Sequence, residues 1–198
     1  MIYTEAKKLF LLGNFSCSNW FKDNGYILEY AYCLLLKGNI NQAKKEFKKI
    51  SQFDFRANWA ESLLPLLDNS KIEGYPTFLQ VRDFLEIDLD FLLTSNQLEY
   101  CQNLLKNAKF LFSINRESYK LIGRVLLNNG FEELAEEFFR LALNNFFQDP
   151  ELHYILAKHY LGKNKIDLSK KHINYCLEMI PEYYPATKLA NEINNRWQ

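Results

Sequence analysis

The sequence predicts an all-α protein in which helix-turn-helix hairpins of about 34 residues stack as a right-handed α-solenoid of about 11–12 helices. Three observations carry this reading. A set of small, turn-forming and apolar positions recurs at one fixed spacing. Apolar residues continue from those positions at i+4 and i+7, the stripe of a helix that buries one face. Gly, Asn and Pro punctuate the chain where such helices end.

The repeat is read from Gly123. Gly130 follows seven positions later, Ala135 twelve later, Phe139 sixteen later and Ala142 nineteen later. From Ala157, one period further on, the same offsets reach Asn164, Ser169, Ile173 and Cys176. From Leu89, one period back, they reach Asn96, Cys101, Leu105 and Ala108, and from Ala31 they reach Gly38, Ala43, Phe47 and Ile50. In physical terms, two small residues let antiparallel helices approach. The Gly or Asn between them tolerates the left-handed backbone that ends the first helix. Neither helix buries its stripe alone, so hairpins have to stack.

The segment Leu121-Ile122-Gly123…Leu126…Asn129-Gly130-Phe131…Ala135…Phe139…Ala142 resembles a tetratricopeptide repeat, and Leu156-Ala157…Tyr160…Ser169…Ile173…Cys176…Pro181 is a more divergent copy. The resemblance covers roughly residues 24–54 and 82–184. It departs from the family where Tyr119 and His153 stand nearest the absent tryptophan, and where Asp88 occupies a position expected to be aliphatic.

In chain order the spacing predicts helices near 2–12, 15–23, 25–37, 40–52, 55–67, 76–94, 97–110, 115–128, 131–146, 149–161, 165–178 and 185–196. Asp149-Pro150 reads as an N-cap followed by Pro at the first helical position. Asn96 and Glu99 have the spacing of a capping box. Pro65 should kink the helix at 55–67. The stretch 55–80 is irregular, because the separation of Ala31 and Leu89 exceeds one period and falls short of two. It reads as a distorted repeat, with a subdomain boundary as the other account. Pro181 and Pro185 introduce a capping segment, 185–198, whose Lys188, Glu192 and Arg196 suit a solvated face. The whole, 1–198, reads as a single domain of this kind.

Composition narrows the function. Aromatic residues make up 16% and apolar residues 48%, which excludes disorder. Lys+Arg and Asp+Glu are 24 each, so no sequence-wide attraction to phosphate backbones exists and nucleic acid is not expected as a partner. The apolar run Tyr30 to Leu36 is far short of a membrane span, and the N-terminal apolar run lacks signal-peptide flanks. Cys17, Cys33, Cys101 and Cys176 show no metal or redox spacing and fit the core of a reduced, cytoplasmic protein.

His153 and His159 lie six apart on one helix, on faces that cannot share a metal, so neither a metal nor a cofactor is expected. Glu132, Glu133, Glu136 and Glu137 read as a solvated face with Arg140, not an acid/base pair, and no nucleophile motif or phosphate loop is present. The chain is not expected to be an enzyme. Phe131, Phe138, Phe139, Phe146, Phe147, Tyr154, Tyr160, Tyr175, Tyr183 and Tyr184 read mostly as core.

The resemblance implies a protein-protein interaction module, an adaptor or assembly factor that binds a peptide or protein segment in a concave groove lined by the first helix of each hairpin. Carried over by position, the groove residues are Asp83, Glu86, Asp90 and Thr94, then Glu117, Lys120, Arg124, Leu127 and Asn128, then Glu151, Tyr154, Lys158 and Leu161. Lys120, Arg124 and Lys158 would meet acidic groups. The Lys/Asn set with which family members clamp a peptide C-terminus is not matched. Two alternatives stay open: a structural repeat protein that forms homo-oligomers, and a helical-repeat RNA binder, against which the neutral charge counts.

Overall fold

The computed structural model describes residues 1–72 and 74–196, with the backbone alone for Arg196. Residues 197 and 198 of the expected capping segment, and the side chain of Arg196, lie outside the described residues. The fold is all-α. Its helices are α1 (Tyr3–Leu11), α2 (Ser18–Asp23), α3 (Ile27–Leu36), α4 (Ile40–Ile50), α5 (Ala60–Leu63), α6 (Phe78–Asp83) and α7 (Leu89–Thr94). They continue with α8 (Leu98–Lys106), α9 (Ala108–Ile114), α10 (Ser118–Asn128), α11 (Glu132–Asn145), α12 (Pro150–Gly162), α13 (Ile166–Met179) and α14 (Tyr184–Arg196). No strand occurs among the described residues.

The turn position of every repeat copy takes the same backbone conformation. Gly38, Asn96, Gly130 and Asn164 have φ of 83°, 59°, 82° and 57°. The residue after each donates its N–H to a carbonyl five positions back: Asn39 to Leu34 at 2.8 Å, Gln97 to Leu92 at 2.8 Å, Phe131 to Leu126 at 2.9 Å and Lys165 to Tyr160 at 2.8 Å. This bond satisfies a carbonyl that the last helical turn leaves open. Because Asn96 is spent on this conformation, it does not form the capping box expected with Glu99. Gln97 is the N-cap of α8 and no side chain caps it.

The small residues meet as the template requires. Ala31 and Ala43 are fully buried, as are Ala135, Ala157 and Ser169. The Ser169 hydroxyl donates to the Ala157 carbonyl at 2.8 Å, which places α13 directly on α12. Phe47, Phe139 and Ile173 fill the next template position in the core, whereas Leu105 is only half-buried.

The chain packs as two compact units, Met1–Leu121 and Ile122–Gln198. The division falls inside α10, not in the irregular stretch 55–80. Within unit 1, α3 packs on α4 and α7 on α8. The two hairpin turns are tied together, with Gln97 Nε2 donating to the Leu36 carbonyl at 2.9 Å and the Tyr100 hydroxyl to the Gly38 carbonyl at 2.6 Å. On α1, the Tyr3 hydroxyl bonds Glu29 at 2.8 Å and Phe10 meets Phe91 edge-on.

The predicted helix 55–67 is three pieces: a 3-10 turn at Phe55–Ala57, then α5, then a 3-10 turn at Leu64–Leu66 that holds Pro65. Proline lacks the N–H that a continuing helix needs. The surrounding Leu63, Leu64, Leu66 and Leu67 are buried. Thr77 caps α6, and the helix runs unbroken to Thr94 as expected. A π-helical turn, Phe84–Asp88, interrupts its hydrogen-bond register. The helix predicted at 97–110 breaks at Asn107 into α8 and α9.

Within unit 2, α11 packs on α12, α12 on α13 and α13 on α14. Asp149 caps α12 by accepting from the Leu152 N–H at 3.0 Å, with Pro150 at the first helical position as expected. Ala157, Ile173, Leu189 and Ile193 form the core beneath α14. Phe138 and Phe139 are core as expected, but Phe131, Phe146, Phe147 and Tyr184 are exposed. Phe146 and Phe147 follow α11, beyond the reach of its buried stripe.

Candidate binding surface

The groove residues are placed unequally by the fold. In unit 1, Asp83 is exposed at the end of α6, and Glu86 is held in the π-turn by Arg82 at 3.4 Å. Asp90 and Thr94 border a hollow of about 380 Å³ with Phe10, Leu36 and Phe91. Lys120 corrects the sequence reading. It is 5% exposed, with its ammonium 3.4 Å from Glu117, so it is not an outward groove cation. A helical wheel places position 120 outward, but tertiary packing covers it.

In unit 2, Arg124 on α10 lies 3.4 Å from Glu151 on α12, so the first helices of consecutive hairpins are neighbours. Leu127 is half-buried and Asn128 exposed at the end of α10. Lys158 is exposed, with its ammonium 5.9 Å from the Tyr154 ring centre. Tyr154 and Leu161 pack against the core beneath α14, so they present edges instead of whole side chains. The charged part of this surface is therefore Arg124, Glu151 and Lys158.

Three features were not read as sites in the sequence. The first joins His153 and His172 on α12 and α13, whose Nδ1 atoms are 2.8 Å apart, while His153 Nε2 is 2.8 Å from the Phe147 carbonyl. A carbonyl only accepts, so His153 carries its proton on Nε2 and its Nδ1 accepts from His172. Burial disfavours the charged form of both rings. Burial, the facing His153 and nearby Lys171 push His172 down to about 4. Two histidines on separate helices give no sequence signal until α12 and α13 are known to face each other. His159, the third histidine, bonds Glu136 at 2.8 Å, and Lys163 reaches Glu132 and Glu136 at 3.0 and 2.8 Å.

The second is Asp88, flagged in the sequence only as a departure from the aliphatic pattern. It sits in the π-turn, 5% exposed and facing Tyr32, and its Oδ1 has no hydrogen-bond partner among the described residues. Burial pushes its carboxyl up to about 7, against the lowering effect of Tyr32 and with added repulsion from Asp83. Tyr32, Phe47, Trp59 and Phe84 form the aromatic cluster around it. The third is a basic cleft beside α4, whose sequence signal was the lysine-rich segment Lys44–Lys49.

All four cysteines are free and buried, and burial pushes the Cys33 and Cys101 thiols up to about 12. Among the described residues no group of three or more His, Cys, Asp or Glu is arranged to hold a metal ion, and no helix is long and apolar enough to cross a membrane. No family model, curated protein or solved structure matches the chain.

Proposed function

We propose that the chain is a tetratricopeptide-like α-solenoid that binds a peptide or protein segment on the face of its first helices, as an adaptor or assembly module. The observation that supports this most is the common left-handed conformation of Gly38, Asn96, Gly130 and Asn164, which gives four hairpins one turn conformation. Hairpins built alike stack alike, and each stack leaves one helix face without a neighbour. A preformed face lowers the ordering cost of binding, and a few Arg or aromatic anchors dominate the affinity. Here those anchors are Arg124 and Lys158, with the edge of Tyr154 beside them. Lys120 is not among them.

The test is affinity capture with mass spectrometry, comparing the wild type with Arg124→Glu combined with Lys158→Glu. Partners that depend on this face are expected to fall away from the variant. An unchanged set of partners would remove the site.

A second reading is self-association through exposed aromatic residues, of which Phe53 is 88% and Tyr184 74% exposed. Light scattering that shows a strict monomer at high concentration would dismiss it.

A further inference from the structure

Unit 1 carries a cleft that the hairpin repeat does not account for. It encloses about 380 Å³ between α4, α5 and the loop after Leu67. Lys44, Lys48, Ser70 and Lys71 stand at its rim, and Ala60 and Pro65 are buried in its floor. Lys44 is fixed there, its Nζ donating to Asp68 Oδ2 at 2.6 Å and Ser70 Oγ at 2.8 Å. An ammonium has three donors, so one remains for a ligand.

Lys48 lies one helical turn further on the same face of α4 and makes no ion pair among the described residues. Lys45 and Lys49 follow, so four lysines stand against the single Glu46 in the short segment Lys44–Lys49 of an otherwise neutral chain. Asp68 already balances Lys44, and Glu46 pairs with Lys49 at 2.6 Å, so the charge offered to a bound anion is chiefly that of Lys48 and Lys71.

We propose that this cleft docks an acidic, partly apolar segment of a protein partner, with carboxylates on Lys44, Lys48 and Lys71 and an apolar side chain on Ala60 and Pro65. Two features favour such a segment over a dense polyanion or a lone phosphate. The Glu61 carboxylate stands at the same rim, accepting from Ser51 Oγ at 3.0 Å, and repels closely spaced negative charge. A small ion leaves most of the cleft volume to water, whereas a side chain fills it. The cleft lies on a second helix of a hairpin, so the proposal stands apart from binding on the first-helix face.

The experiment is fluorescence anisotropy with the full chain and a short fluorescein-labelled peptide of Glu-Glu-Leu repeats. Binding is expected for this peptide and not for its Gln-Gln-Leu counterpart. Lys48→Glu combined with Lys71→Glu is expected to weaken it about tenfold or more. Both lysines are exposed, so the fold is expected to hold, and circular dichroism checks it. Lys188→Glu, an equally exposed reversal on α14, is expected to leave affinity unchanged. Wild-type affinity in the double variant would overturn the proposal, as would an equal loss in Lys188→Glu. Displacement of the peptide by millimolar inorganic phosphate at matched ionic strength, or stronger binding to phosphatidylserine vesicles, would overturn it as well.

Discussion

Gly123 on α10 and the Phe139 ring on α11 meet so closely that a Cβ on Gly123 would lie 2.6 Å from both Cδ1 and Cε1 of the ring. The hairpin closes on this pair. Ala135, twelve positions after Gly123, is fully buried in the same hairpin, and the phenylalanine one turn further on covers the bare backbone. In an unconstrained helix, Gly→Ala stabilises by about 1 kcal/mol. Here the methyl group has no room.

Gly123→Ala is therefore expected to destabilise unit 2 by about 1–3 kcal/mol, the cost of overpacking a filled core. Phe139→Leu in the same chain is expected to recover part of that loss, since the smaller side chain can withdraw. Urea unfolding of the two single variants and the double variant measures the coupling. Simple additivity would mean that the two residues do not touch.

Acid is expected to weaken the histidine pair. His172 titrates near 4 in the folded chain and near its ordinary 6.5 when unfolded. The unfolded state takes up a proton first, so stability is complete above about pH 6.5 and falls as pH drops toward 4. At about pH 5 the loss from His172 is on the order of 2 kcal/mol or less, because the ring is partly solvated. His172→Phe should flatten this part of the pH profile. A ring-proton titration of His172 by NMR with a midpoint near 6.5 would contradict the pairing.

Asp88 is expected to act in the opposite direction. Its folded value is raised to about 7, so its neutral form suits the aromatic cluster. Stability from this group is present below the unfolded value near 4 and is lost as pH rises through about 7. Asp88→Asn keeps the shape without the charge, and at about pH 8 it is expected to stabilise the chain by about 1–3 kcal/mol. At about pH 4 the substitution should change little. Urea midpoints at the two pH values, followed by the fluorescence of Trp59 in the adjoining cluster, give the comparison. Equal effects at both would show that Asp88 is ionised throughout.

Much of the hairpin pattern was legible because its determinants are local. A left-handed turn needs Gly or Asn, and the repeat spacing put such a residue at 38, 96, 130 and 164. Asp149-Pro150 likewise caps its helix through groups close together in the chain, Asp149 accepting from the Leu152 N–H. What was not legible depends on neighbours distant in sequence. Lys120 looks outward on an isolated helix, and only tertiary packing buries it. The π-turn at Phe84–Asp88 shifts the hydrogen-bond register without any compositional mark, apart from the misfit of Asp88. The basic cleft needs α4, α5 and the loop at 68–71 together, so the lysines alone give no site in the sequence.

The shared turn geometry on which the hairpin account rests is tested most directly at its two non-glycine turns. Asn96 and Asn164 have φ of 59° and 57°, where glycine is at ease and a β-branched residue is not. Urea midpoints are expected to rise slightly for Asn96→Gly and Asn164→Gly, and stability to fall by about 1 kcal/mol or more for Asn96→Val and Asn164→Val. Valine tolerated without loss at either position would mean that the turn there is not left-handed, and that the four hairpins do not share one geometry.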